Sequence, residues 1–480
     1  MSVKSYTQKD WQKGYQSQPY EYEYWIDEIE GTIPVELNGT LFRNGPGLLD
    51  INGQIIAHPF DGDGLICAIK FEKGKAHFQN KFVKTEGYLN EKKAGKILYR
   101  GVFGTQKSGG FLGNIFDLKL KNIANTNVIY WGGKLLALWE AAEPHSLNPD
   151  TLETIGLDYL DGILQPGDGF SAHPWIDPSS VFDNGEPCLV NFAMKPGLST
   201  TLVTYEISPQ GKLLRKRQHS VPGFAFIHDF AITPNYCIFF QNPVSYNPFP
   251  FLFGFKGAGQ CVKYQPEQLT RIILIPRNPD HKEVKILETN SGFIFHYANA
   301  FEKNGKIYVD SVCYENLPEV KENTSFLETN FDELPPGQLW RFSLNLEQES
   351  VSSEMIESRC CEFPMVNPNN VGRDYRYLYI AAAHNASGNA PLQAILKLDL
   401  HTNERKLHSF ANSGFVSEPI FVPKSDSNAE DEGWLLTMVY DAHYHRSNLV
   451  ILDGQNLEII ATLHLKHHLP YGLHGSWMDN

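Results

Sequence analysis

With 480 residues, 42% of them hydrophobic, and a formal net charge of −14, the chain has the apolar mass for a large core. It lacks the concentrated Lys and Arg that phosphate binding needs, so no nucleic acid is expected as a partner. Seven cysteines, an odd count with no C-x-x-C, point to a reducing compartment rather than a disulfide framework. No apolar signal segment opens the chain and no apolar run is long enough to span a bilayer, so a soluble, cytoplasmic protein is expected.

In chain order, a strand–turn–strand unit recurs seven times. It begins at Leu65, His145, Leu202, Cys261, Gln338, Ala394 and Asn448. Each unit alternates apolar and polar residues, breaks at a polar or glycine turn, and alternates again. Successive starts are about 64 residues apart, a long period that belongs to propellers and solenoids. Between the units lie apolar runs such as 132–140, 304–312, 376–383 and 433–440, read as strands buried between blades. With 39 Gly, 29 Pro and few amphipathic helices, the expected fold is all-β: one seven-bladed β-propeller over residues 1–480. Inserted loops and short helices are expected to cap one face, with insertions at about 89–127 and 315–336. The C-terminal strand is expected to close the ring beside N-terminal segments.

His173, His228, His296 and His474 follow the starts of their preceding units by 28, 26, 35 and 26 residues. Residues at one phase of a cyclic repeat sit at one height around one axis, so these imidazoles are expected to share a metal. His228 lies in GFAFIHDFAIT, where Phe224, Phe226, His228 and Phe230 are expected on one strand face. Apolar surroundings keep imidazole neutral, the form that binds metals. In two of the three remaining repeats Glu362 and Glu418 stand 24 residues after Gln338 and Ala394. A buried carboxylate there is costly unless it accepts an N–H from a ligand imidazole, which would also fix the tautomer. Glu140, ending GGKLLALWE, is a third such carboxylate outside the phase. His443 and His445 read as an exposed turn, and the DGDG run at 61–64 as a tight turn rather than a calcium loop. Ligand type alone leaves zinc and Fe(II) both open.

RNGPG (43–47), HPFDGDG (58–64), FAFIHDF (224–230), FHYANAF (295–301), GQLWRF (337–342), CCEFP (360–364), SEPIFVP (417–423) and LHGSW (473–477) resemble the carotenoid cleavage oxygenases. Within that family the chain is similar to the cyanobacterial apocarotenal oxygenases from about Trp11 onward. The resemblance implies Fe(II) held by His173, His228, His296 and His474, with Glu140, Glu362 and Glu418 behind them. It implies cleavage of an apocarotenal, such as β-apo-8′-carotenal, by dioxygen at the 15,15′ double bond, giving retinal and a shorter dialdehyde. An apolar polyene needs an apolar tunnel; candidate walls are Phe60, Trp139, Phe226, Phe295, Tyr314 and Phe363. A non-catalytic polyene-binding propeller, or a stilbene-cleaving or isomerase relative with the same iron site, are the alternatives. Reaching a lipid-dissolved substrate calls for peripheral membrane contact. Phe111, Leu112, Ile115 and Phe116, with the apolar run 247–257, are the candidate patch.

Overall fold

The computed structural model describes residues 4–480 except 196, 198, 318–324 and 426, with the side chains of Phe111 and Leu112 also outside the description. Seven antiparallel sheets of at least four strands account for the seven repeats. The expected seven-bladed propeller is what the chain forms. One blade runs outward from Trp175–Asp177 through Cys188–Lys195 and Thr200–Ile207 to Leu213–Val221. Its neighbours are built alike, beginning at the axis with Asn127–Trp131, Ala231–Ile232, Phe293–Lys303 and Cys361–Met365.

Burial explains the sequence pattern strand by strand. Second strands such as Tyr377–Ala383 and Gly433–Asp441 are buried along almost their whole length, because blades pack on both of their faces. They therefore read as continuous apolar runs. Outer strands such as Leu213–Val221 and Ser350–Glu357 face water on one side and are largely polar.

The ring closes where the chain ends meet. The C-terminal strand Gly475–Asp479 pairs with Gly39–Arg43, with Arg43 opposite Gly475, and that sheet continues through Asp63–Glu72 and Lys75–Phe82 to Tyr22–Trp25. The last blade, from Gly414–Val416 and Ile420–Pro423 outward, takes Ile29–Gly31 as its outermost strand. Both termini are thus woven into sheets that the other end of the chain completes.

Two sequence expectations need correction. The fourth unit does not start at Cys261. Val262–Tyr264 pairs with Val244–Tyr246 in a side hairpin, and the outer pair of that blade is Thr270–Pro276 with Lys285–Thr289. Polar–apolar alternation alone could not tell that hairpin from the blade. Counted from third strands beginning at His145, Thr200 and Arg446, the histidines at 173, 228 and 474 each follow by 28 residues, and His296 follows Thr270 by 26. The outlying interval was an artefact of the misplaced start. Second, residues 224–230 are not a strand; only Ala231–Ile232 pairs, so the segment runs extended without a ladder. Its aromatics go to separate partners: Phe224 stacks on Tyr246, Phe226 on Phe293 and Phe230 on Phe239.

The first insertion lies between Lys75–Phe82 and Asn127–Trp131 and carries helices Glu86–Ala94 and Gly110–Asn114. The second lies between Lys306–Tyr314 and Gln338–Asn345 and includes short 3-10 turns at Phe326–Glu328 and Phe331–Glu333. A third, between Tyr236–Gln241 and Thr270–Pro276, was hidden by the misread fourth unit. It docks on the first through Arg100, fully buried, whose guanidinium donates to the carbonyls of Asn114, Asp117, Phe251 and Lys256. The DGDG run anchors the first insertion too. Asp61 accepts the N–H groups of Phe103 and Thr105, and Asp63 pairs with Lys121 at 2.7 Å. The run therefore serves as a buried carboxylate anchor.

Candidate metal centre

The four histidines meet at the axis. Their ligand nitrogens lie within 4.8 Å of one another. Nε2 of His173 is 2.9 Å from Nε2 of His228. Five of the six ring pairs have centroids 4.4, 5.1, 4.6, 5.1 and 5.0 Å apart. Each ligand stands at the entrance to an innermost strand or on a kink within one. His173, His228 and His474 precede Trp175–Asp177, Ala231–Ile232 and Gly475–Asp479.

His296 lies inside Phe293–Lys303, where the pairing register shifts between Ile294 and Tyr297. A bulge frees a strand residue from the ladder and re-aims its side chain, which is how a residue in mid-strand reaches the axis. Glu362 uses the same device. Register shifts between Glu362 and Pro364, and Phe363 between them has φ of 57°, the left-handed region that costs a bulky residue about 1–3 kcal/mol.

Three carboxylates stand behind three imidazoles. Nδ1 of His228 is 2.7 Å from Glu140, Nδ1 of His296 is 2.6 Å from Glu362, and Nδ1 of His474 is 2.8 Å from Glu418. Accepting the Nδ1–H leaves each Nε2 lone pair facing the centre. Nε2 of His296 is buried without a hydrogen-bond partner, the state of a nitrogen waiting for a cation. Each glutamate is compensated differently. Glu140 is the most exposed, its side chain 24% accessible, against 14% and 10% for Glu362 and Glu418. Glu362 accepts from the Tyr314 hydroxyl at 2.7 Å and the Phe363 N–H. Glu418 accepts from the Arg43 guanidinium at 2.6 Å and the Gly475 N–H.

The electrostatics favour a cation. Burial, reinforced by the other three imidazoles, holds His173 well below the ordinary imidazole range. Burial also lowers His474, against the pull of Glu418. At His296 burial is outweighed by Glu362, Asp229 and Glu418, which lift it to about 9. An incoming metal would displace that proton.

Asp229 is a buried carboxylate that sequence reasoning passed over. It accepts the N–H of Tyr297 at 2.9 Å and of Phe230 at 2.7 Å, tying together the backbones just after His296 and His228. Burial raises it to about 6. Its position directly after a ligand histidine was the available signal.

The candidate tunnel residues divide. Phe295 packs against His228, Phe363 against His296 and His474, and Tyr314 against Phe295. Phe226 lies one ring further out, on Phe293, which touches Phe295. Phe60 is 41% exposed and packs on His58 and on Phe103 of the first insertion. Trp139 is buried and lines a small cavity with Tyr99, Arg100 and Val102.

His443 and His445 occupy the expected turn between Gly433–Asp441 and Arg446–Asp453. All seven cysteines are buried and free. A second group, Asp183, Cys188 and Glu206, could meet a cation by distance alone, but Arg215 already bridges its two carboxylates.

Comparison with known proteins agrees with this geometry. Over 99% of its length the chain is 58% identical to the apocarotenoid-15,15′-oxygenase of Synechocystis sp., covering 97% of that protein. It is 31% identical to an isoeugenol monooxygenase of Pseudomonas putida, with 94% of each chain covered. The cobalt-substituted apocarotenoid oxygenase of Synechocystis superposes with a TM-score of 0.98 at 57% identity, over 100% of both chains. Residues 15–479 match the family model described as retinal pigment epithelial membrane protein. The chain belongs to that family, the carotenoid oxygenases, as its motifs implied.

Proposed function

We propose that this protein is a non-haem Fe(II) dioxygenase that cleaves the 15,15′ double bond of β-apocarotenals, giving retinal and a shorter dialdehyde. In that reaction one C=C and one O=O bond break and two aldehyde C=O bonds form. The observation that carries the reading is the four-imidazole cluster, in a chain 58% identical to an apocarotenoid-15,15′-oxygenase. His173, His228, His296 and His474 would hold the iron, which when bound supplies the dioxygen chemistry.

The donor set fits such an ion: four imidazole nitrogens converge within 4.8 Å of one another and would hold a first-row transition metal. A solved relative is cobalt-substituted, and cobalt is another first-row transition metal.

The remaining residues divide the work. Glu140, Glu362 and Glu418 hold the protons on Nδ1 and keep each Nε2 available. Phe295 and Phe363 cover the imidazoles with apolar surface, which favours a polyene over water. Phe226 and Tyr314 would extend that wall, with Trp139 and Phe60 further out.

Substrate arrives from a membrane. Phe116, Leu118, Phe249, Phe253 and Phe255 are 63, 58, 62, 38 and 67% exposed, and Phe116 packs on Phe253 at 5.8 Å. Arg100 holds their two insertions together, so they form one apolar patch suited to dip into a leaflet. Ile115 is half-buried at its edge. No helix among the described residues is long and apolar enough to cross a membrane. The free thiols suit a cytoplasmic setting.

The deciding experiment incubates iron-loaded protein with β-apo-8′-carotenal under oxygen and analyses the products. Retinal with the matching dialdehyde is expected. Polyene binding without oxygen consumption would instead mark a binding protein.

A further inference from the structure

The RNGPG motif reaches the centre through the Arg43–Glu418 contact, and all of its first three residues face the C-terminal ligand. Arg43 ends the fully buried strand Gly39–Arg43 and pairs with Gly475. One arm of its guanidinium donates to Oε2 of Glu418 at 2.6 Å, and the other to the Leu473 carbonyl at 2.8 Å. It thus grips the carboxylate behind His474 and the backbone just before His474 at the same time. Asn44 completes the hold: its N–H donates to the His474 carbonyl at 2.8 Å, and its carbonyl accepts the Leu473 N–H at 2.8 Å. The Asn44 side chain is itself anchored on the carbonyls of Ala124 and Asn127. Gly45 lets the two segments close, since a Cβ there would stand 2.7 Å from the Gly472 Cα.

We propose that Arg43 is a positioning residue for the metal centre, and that Arg43, Asn44 and Gly45 form the socket that seats the His474 ligand. This rests on the reading of the four histidines as metal ligands.

The physical need is specific to this ligand. His474 comes from the last strand to join the ring and is separated from Arg43 by most of the chain. Its glutamate is also the least exposed of the three, with a 10% accessible side chain. A carboxylate buried that deeply is costly without a fixed countercharge, and pairs with guanidinium best because two donors sit in a rigid plane. Glu140 has solvent nearby and Glu362 has a tyrosine hydroxyl; Glu418 has Arg43. Losing Arg43 would leave Glu418 without the guanidinium that fixes its orientation, and His474 would lose the acceptor that orients it.

The test uses Co(II) as the probe, on the full-length apoprotein without substrate. Affinity is read by chelator competition and geometry by the ligand-field absorption. Arg43→Met is expected to weaken Co(II) binding by roughly 10–100-fold, the range for losing a group that orients a ligand. Glu418→Gln should do the same, and the double variant should be no worse than the weaker single one, because both act through one contact. Arg43→Lys should fold and recover part of the affinity, keeping the charge but not the two-armed grip. A Leu463→Ala control, matched for lost thermal stability, should bind Co(II) normally. Wild-type affinity in Arg43→Met, losses that multiply in the double variant, or an equal loss in Leu463→Ala would each overturn the socket. Absence of Co(II) uptake by the wild type would overturn the metal-centre reading itself, a distinguishable failure.

Discussion

Nδ1 of His296 stands 2.6 Å from Oε2 of Glu362, a residue from the next blade, and both reach that contact through bulges in their strands. The Tyr314 hydroxyl holds the other carboxylate oxygen at 2.7 Å. A relay of phenol, carboxylate and imidazole therefore aims one Nε2 at the axis.

Breaking that relay should show in metal retention first. Glu362→Gln keeps the shape but weakens the acceptor, so iron affinity should fall roughly 10–100-fold. Tyr314→Phe removes one hydrogen bond to a charged group, worth about 1.5–3 kcal/mol, and should cost about tenfold or somewhat more. Metal analysis after dialysis against a graded chelator reads both. Wild-type retention in both variants would show that the contacts are incidental.

Deleting a ligand should be more severe. His228→Ala removes one of four donors and strands Glu140, so neither iron retention nor turnover is expected. Thermal stability should change little, because residues 224–230 carry no ladder. A His228→Ala protein that still holds a full equivalent of iron would refute the assignment.

Membrane contact should depend on the exposed rings rather than on charge, given the net −14 of the chain. Changing Phe116, Phe249 and Phe255 together to Ser removes three of the most exposed apolar side chains of the patch. At about 25 cal/mol per Å² buried, liposome flotation should drop by well over tenfold. Activity on detergent-solubilised substrate should persist; equal loss in both assays would indicate misfolding.

Acid should destabilise the protein through histidines kept neutral. Burial pushes His58 down to about 3 and holds His145 and His467 at about 4, the latter two with smaller opposing effects. Unfolded imidazoles titrate near about 6.5, so below that pH the unfolded state binds more protons than the folded state. Stability should therefore be full above about pH 6.5 and fall as pH drops toward 3. His58 packs between Phe60, Phe103 and Phe326 and accepts the Phe60 N–H through Nδ1. His58→Asn keeps a capping acceptor without the titration and should flatten the melting-temperature slope between pH 6 and 4. An unchanged slope would assign the acid sensitivity elsewhere.

The sequence by itself determined the repeat, the number of blades and the four histidines that meet at the axis. Strand alternation and burial between blades are local patterns with a fixed period, and a cyclic repeat converts equal phase into equal height at the axis. It also determined Glu362 and Glu418, which share that phase. Tertiary structure alone decided how Glu140 reaches His228, because Glu140 lies in the turn just past the second strand Lys134–Leu138 and outside the phase. It alone separated the side hairpin at Val262–Tyr264 from the true outer strands, since both alternate alike. The bulges at His296 and Glu362, the Asp229 tie and the Arg43 socket are contacts between distant segments. Spacing does not record them, because each depends on how neighbouring strands or blades pack, and the Arg43 socket on ring closure bringing both ends of the chain together.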